Sequence, residues 1–294
     1  MTDRSENRPI PRAGVIGWPV AHSRSPVIHG HWLARYGLQG RYDRIAVDPA
    51  EAEAFFAGFR DSGLAGANVT VPYKEAAAKA CDVLDPLAEA LGAVNTLWIE
   101  DGRLNGTNTD VTGFLANLDA EAPGWDAGGG AAVVLGAGGA ARAVVYGLAA
   151  RGFAPVHVVN RTRARAEAVA ALAKGRDGHS VGRAHGFDEL PQLLARARVL
   201  VNTTSLGMAG SGPLDVDLSP LPHDALVTDI VYVPLETPLL AAARLRGNPV
   251  AGGLGMLLHQ AAPGFARWFG VFPEVDEALY EAVIATLPPE AGRR

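Results

Sequence analysis

The feature that most constrains this chain is an apolar run feeding a glycine turn. Ala131, Ala132, Val133, Val134 and Leu135 lead into Gly136-Ala137-Gly138-Gly139-Ala140-Ala141, and an alanine-rich helical stretch follows. A buried strand, a turn that needs glycine and then a helix open a βαβ unit, and G-x-G-x-x-A in that place is a dinucleotide-binding pattern. Gly136 permits the tight turn, Gly138 lets the backbone approach a pyrophosphate, and Ala141 is small enough for close helix–strand packing. The helix N-terminus adds N–H groups and a positive dipole end for the phosphates. A glycine turn alone is common in α/β proteins; the correct strand before it and helix after it make this one informative.

The same alternation runs along most of the chain. Short β-branched runs at 14–16, 42–47, 67–69, 96–99, 131–135, 156–159, 199–201 and 226–229 read as strands. Helical patterns at 26–35, 50–61, 140–151 and 163–173 lie between them. That alternation predicts α/β units with parallel sheets. Asp101-Gly102, between two extended runs, predicts a hairpin turn. At 294 residues two domains are expected. A glycine- and proline-rich break at 122–130 marks the boundary. The reading is an N-terminal α/β substrate domain, 1–121 with 255–294, and a Rossmann-like domain, 122–254. The helical stretches 255–269 and 275–285 have no strand to follow and are expected to return to the first domain.

Composition removes several function classes. A formal charge of -5 argues against nucleic acid, whose phosphates need a basic face. Cys81 is the one cysteine, with no internal disulfide partner and no metal-ligand spacing around it, and this fits a reducing compartment. No apolar run approaches the length of a membrane span. Met1 to Pro11 is polar and reads as a frayed tail without the apolar core of a signal peptide. The expected location is the cytoplasm. His22, His29 and His31 form no metal-binding pattern.

After the next strand the chain reads Asn160-Arg161-Thr162-Arg163-Ala164-Arg165. An NAD site usually carries Asp or Glu there for the ribose 2′-hydroxyl. A 2′-phosphate would be repelled by a carboxylate and finds a bidentate partner in arginine, so NADP is the expected cofactor. The bland alternative is a helix start merely solvated by arginines.

Four segments of the first half carry polar groups at strand ends, where α/β proteins place ligands. The segment Gly17–Pro26 holds Ser23 and Ser25, which at i and i+2 in extended chain point the same way and can jointly grip a carboxylate. Capping of the following helix is the plainer role for Ser25. Asn68-Val69-Thr70-Val71-Pro72-Tyr73-Lys74 ends a strand, and alone its lysine reads as a surface residue. Gly92-Ala93-Val94-Asn95-Thr96 and Asn105-Gly106-Thr107-Asn108-Thr109-Asp110 add amides, hydroxyls and one carboxylate, which also suits a helix N-cap.

Taken together, GWPVAHSRSP, NVTVPYK, GAVNT, GTNTD, VLGAGGAARA, NRT and GGLGMLLHQA stand in an order that resembles the shikimate dehydrogenases, over residues 14–285. The resemblance implies substrate contacts at Ser23, Ser25, Thr70, Lys74, Asn95, Asp110, Tyr232 and Gln260. Tyr232 would help the serines hold the carboxylate; Thr70, Asn95, Asp110 and Gln260 would hold ring hydroxyls. It implies NADP contacts at Gly136, Ala137, Gly138, Gly139, Ala140, Asn160, Arg161, Thr162, Arg163, Ala164, Arg165, Ile230 and Gly253. Lys74 and Asp110 are the implied catalytic pair. Pro86 stands where some members carry an acid, so no role is transferred there, and His29-Gly30 replaces the usual His-Asn.

The implied reaction is reversible reduction of 3-dehydroshikimate by NADPH, a step toward chorismate and the aromatic amino acids. A lysine ammonium near the ketone oxygen would stabilise its developing charge and donate the proton. A neighbouring Asp110 would favour protonated Lys74, and oxidation of shikimate would speed up toward alkaline pH. The reacting groups are expected to meet across a cleft, with hinges near 121–130 and 247–253. No metal is implied, and a homodimer is an open assembly state.

The nearest alternative is a quinate/shikimate or aminoshikimate dehydrogenase; the missing acid after Val159 disfavours an NAD-using quinate enzyme. A non-catalytic NADP-binding protein would be favoured by loss of Lys74 or Asp110, and both are present. A methylene-tetrahydrofolate dehydrogenase-like enzyme shares the two-domain design but not the double-serine, VNT and GTNTD segments.

Overall fold

The computed structural model describes residues 10–288. The polar tail expected at the start lies, up to residue 9, outside them. Contacts divide the described chain into two compact units, residues 10–109 with 261–286 and residues 110–260.

The first unit is built on strands β1 (Arg12–Gly17), β2 (Arg41–Ala46), β3 (Gly66–Val69), β4 (Val83–Leu84), β5 (Thr96–Glu100) and β6 (Arg103–Thr107), with helices α1 (Ser25–Arg35), α2 (Ala52–Ala57), α3 (Lys74–Ala80) and α4 (Pro86–Leu91). The sheet order is β2-β1-β3-β5-β6-β4. β1 pairs in parallel with β2 and β3, but β5 runs antiparallel to both β3 and β6. This sheet is therefore mixed, not parallel throughout. The antiparallel part comes from the hairpin, where Asp101 (φ 51°) and Gly102 (φ 71°) make the left-handed two-residue turn that suits strand twist. The helix expected over 50–61 is shorter: α2 stops at Gly58, and a single 3₁₀ turn (Phe59–Asp61) follows. Glycine is a weak helix residue, and the break lets both Phe56 and Phe59 reach the core.

The second unit holds β7 (Gly130–Leu135), β8 (Phe153–Val159), β9 (Gly182–His185), β10 (Ala197–Asn202), β11 (Leu226–Asp229) and β12 (Val250–Ala251). Its helices are α5 (Asp110–Glu121), α6 (Gly139–Ala150), α7 (Arg163–Ala170), α8 (Leu190–Leu194) and α9 (Pro238–Leu245). The order β12-β11-β10-β7-β8-β9 is all parallel. Counted within the unit this is the doubly wound order 3-2-1-4-5-6, whose direction reverses between β7 and β10. The strands are buried on both faces, so they read as continuous Val/Leu runs.

The composition break at 122–130 lies inside this unit. α5 precedes it, yet its Phe114 and Leu118 sit in one core with Ala132, Val134, Val144 and Leu148. Asn117 donates to the Gly252 carbonyl (2.7 Å), and the Gly252 N–H donates to Glu121 (2.8 Å). These contacts set the division at 109/110. α10 (Leu254–Phe269) carries the chain from one unit to the other, dividing at 260/261, and α11 (Glu277–Ile284) ends the first unit. Within the first unit Trp268 donates to the Leu97 carbonyl (3.0 Å), and Trp32 donates to that of Glu274 (2.9 Å). No helix among the described residues is long and apolar enough to cross a membrane.

Candidate active-site residues in the two units

In the first unit, strand ends deliver the expected polar residues. The loop after β1 brings Ser23 and Ser25 together, with hydroxyl oxygens 3.3 Å apart, and the Ser25 N–H meets the Ser23 hydroxyl at 3.3 Å. α1 begins at Ser25 with no side-chain cap, so capping does not account for these serines. The loop after β3 is joined to the same loop: Trp18 N–H donates to the Val71 carbonyl (3.1 Å), and Thr70 N–H to that of Ile16 (2.9 Å). A Cβ on Gly17 would come within 2.5 Å of the Thr70 methyl, so glycine is what lets Thr70 sit there. Lys74 opens α3 and is half-buried, and its carbonyl accepts from the Val94 N–H (2.9 Å).

Asn95 is buried, and its amide joins two of the sequence segments. Its Oδ1 accepts from the Thr109 N–H (2.8 Å) and the Thr96 hydroxyl (3.0 Å), and its Nδ2 lies 3.0 Å from the Thr109 hydroxyl. Asn108 donates to the Ala93 carbonyl (3.0 Å). Behind them lies a group that sequence reading missed. Buried Tyr42, on β2, donates to Asn68 Oδ1 (2.6 Å), and Asn68 Nδ2 donates to the Asn95 carbonyl and the Thr96 hydroxyl (both 3.2 Å). Asn68 stood inside a recognised segment, and a buried amide at a strand end was the available signal. Tyr42 lies 26 residues away and gave none. His29 stacks on the Tyr42 ring with centroids 3.8 Å apart. It is fully buried, and burial drives its pKa down to about 3, so the ring is neutral. Burial also pushes the Tyr42 phenol well up, so it stays protonated and can donate.

In the second unit Asp110 is the first residue of α5 and is buried. Gln260 lies on α10, where its side chain donates to the Leu257 carbonyl (3.0 Å). A Cβ on Gly113 would lie 2.7 Å from both Gln260 Cβ and the Met256 carbonyl. Gly113 therefore lets α5 and α10 touch. Tyr232 and Ile230 lie half-buried in the loop after β11. That loop is organised by buried Asp229, which accepts from Asn202 Nδ2 (2.9 Å), the Val231 N–H (3.0 Å) and the Thr237 hydroxyl (2.8 Å). Burial raises the Asp229 pKa against those bonds. A Cβ on Gly253 would clash with the backbone at 229–230, so glycine permits that approach.

The glycine turn sits at the switch point of the parallel sheet. Gly136 adopts φ 102°, and a Cβ there would lie 2.9 Å from Thr203 Oγ1 on the neighbouring strand end. Ala137 is half-buried. Gly138 and Gly139 are exposed at the start of α6, with Ala140 behind them and Ala141 fully buried. A Cβ on Gly138 would meet nothing within 4 Å, so the turn leaves open space where a pyrophosphate would approach. At the end of β8, Asn160 donates to the Thr162 carbonyl (2.9 Å) and shapes the turn. Arg161, Thr162, Arg163, Ala164 and Arg165 are all exposed. Arg163 pairs with Glu167, whereas Arg161 has no acidic partner among the described residues. No group of three potential metal ligands occurs among them.

Comparison with known proteins follows this division. Residues 15–97 match the shikimate dehydrogenase substrate binding domain, and residues 123–208 match the shikimate / quinate 5-dehydrogenase model. A shikimate dehydrogenase (NADP(+)) of Azorhizobium caulinodans is 58% identical, covering 94% of this chain and 96% of that one. The crystal structure of shikimate 5-dehydrogenase from Thermus thermophilus in complex with NADP(H) and shikimate is 36% identical, with TM-score 0.82 over 94% of this chain and 100% of that one. Quinate dehydrogenase from Corynebacterium glutamicum in complex with NAD is 32% identical, with TM-score 0.85 over 94% of this chain and 99% of that one.

Proposed function

The chain belongs to the shikimate dehydrogenase family, and we propose that it reduces 3-dehydroshikimate reversibly to shikimate with NADPH, in the cytoplasm, through Lys74 and Asp110. The observation that carries the cofactor half is the end of β8. The carboxylate that would bind a ribose 2′-hydroxyl is replaced by Asn160, with exposed Arg161 beside it. An arginine without an acidic partner suits a 2′-phosphate. Gly136, Ala137, Gly138, Gly139 and Ala140 would hold the pyrophosphate, with Ile230 and Gly253 along the nicotinamide end. When bound, NADPH supplies hydride to the ketone carbon.

The protein's own residues manage charge and proton. Ser23 and Ser25, whose hydroxyl oxygens already converge, bind the carboxylate with help from Tyr232. Thr70, Asn95, Asp110 and Gln260 bind ring hydroxyls. As the ketone oxygen gains charge, the Lys74 ammonium stabilises it and donates its proton; in the reverse direction neutral Lys74 takes the proton from the hydroxyl. Asp110 both accepts from a substrate hydroxyl and favours the charged lysine.

The test measures NADP⁺ and NAD⁺ reduction with shikimate and with quinate side by side. The expected result is turnover with shikimate and NADP⁺ far above the other three combinations. Equal or better turnover of quinate with NAD⁺ would move the chain to the quinate-using branch.

A further inference from the structure

The paired serines are neutral, but the group assigned to them is an anion. Desolvating a carboxylate against two hydroxyls leaves its charge largely uncompensated. The first unit holds a fixed cation at this loop. Arg44, on β2, donates from both Nε (3.1 Å) and Nη2 (2.7 Å) to the Ser23 carbonyl. Arg35, Arg41 and Arg60 of the same unit each pair with an aspartate, but Arg44 makes no ion pair among the described residues. Its charge is therefore held at the serine loop without an acid to neutralise it. A guanidinium fork on one carbonyl also fixes where that residue's hydroxyl sits.

β2 makes a second polar contact in the same unit. Residues two apart on a strand share a face, so Tyr42 and Arg44 project together. Tyr42 donates to Asn68, while Arg44 holds Ser23. One strand thus holds both Ser23 and the buried Asn68 amide.

We propose that Arg44 is a positioning and specificity-determining residue: it orients Ser23 and supplies the positive field that makes the serine pair select a carboxylate over a neutral group. This rests on reading the chain as a shikimate dehydrogenase. Arg44 acts through the Ser23 carbonyl and through space and need not touch the substrate.

The experiment compares equilibrium dissociation constants of shikimate and its uncharged methyl ester, on the intact chain with NADP⁺ present. The variants are Arg44→Met, Arg44→Lys and Arg24→Met. Arg24 lies between the two serines and makes no hydrogen bond of this kind, so it controls for general surface charge. Arg44→Met should reduce the acid-over-ester preference roughly 3- to 30-fold, the range for one partly screened charge several ångströms away. Arg44→Lys should restore most of the preference, and Arg24→Met should leave it near the wild-type value. Shikimate KM should rise in Arg44→Met with kcat little changed. Equal weakening of acid and ester in Arg44→Met would make Arg44 a structural residue only and overturn the proposal. So would an unchanged preference, or a larger effect from Arg24→Met. Wild-type protein that binds neither compound would instead refute the functional reading, which separates the two failures.

Discussion

Replacing His29 with phenylalanine should remove a large part of this protein's sensitivity to mild acid. His29 is fully buried, stacked on Tyr42 and edge-on to Trp32, and burial holds its pKa near about 3, against 6.5 for a free imidazole. Between those values the unfolded chain binds a proton that the folded protein refuses. The histidine therefore costs nothing above pH 6.5 and subtracts stability progressively as pH falls below it. At pH 5.0 the loss relative to pH 7.5 is about 2 kcal/mol, because each pH unit below 6.5 adds about 1.4 kcal/mol. Phenylalanine keeps the ring stack and removes the titration. The assay is urea unfolding of wild type and His29→Phe at pH 7.5 and 5.0. Their stability difference at one pH is subtracted from that at the other. Other titrating groups, including half-buried His157 with its pKa lowered to about 4, are common to both proteins and cancel. Parallel curves across that interval would refute the argument and mean that His29 charges inside the fold.

Arg161→Ala should weaken NADP⁺ by about 1–3 kcal/mol while leaving NAD⁺ nearly unchanged, as separate cofactor titrations would show; an equal loss for both would remove Arg161 from phosphate recognition. Lys74→Ala should lower kcat by about 10²- to 10⁴-fold with little change in shikimate KM, measured by steady-state kinetics on variants verified as folded by circular dichroism. Near-normal kcat would leave Lys74 a surface lysine. Gly113→Ala places a methyl 2.7 Å from Gln260 and the Met256 carbonyl, so it should cost about 1–3 kcal/mol of stability and raise shikimate KM more than NADP⁺ KM. Thermal unfolding and kinetics together test it, and an unaffected KM would separate the α5–α10 contact from substrate binding.

The parts of this molecule written in local chemistry were legible in its sequence. The turn Gly136-Ala137-Gly138 needs glycine wherever it occurs, and Asp101-Gly102 specifies its hairpin without help from the rest of the fold. What escaped was tertiary in origin. β4 and β12 are two residues each, too short for any periodicity. The antiparallel join of β3 to β5 depends on which sheet edge is free, and nothing within either strand records it. α5 was seen as a helix, but its partner was not, because Phe114 and Leu118 look alike against either core. For the candidate site, the segments named the front residues and missed those behind them. Tyr42 and Arg44 act on residues 26 and 21 positions away, a relation that no local spacing encodes.

The division of α10 between the units has a consequence for how the protein is made. Chains leave the ribosome from the N-terminus, and domains generally fold as they emerge. The first 109 residues cannot complete their core on that schedule. Trp268 must still arrive to bond the Leu97 carbonyl, and Phe265 to pack beside His29 and Trp32. The second unit, continuous from 110 to 260, has all its strands before those residues exist. The half that comes out first is thus finished last, and during the interval the β1–β3 sheet waits with an aromatic face uncovered.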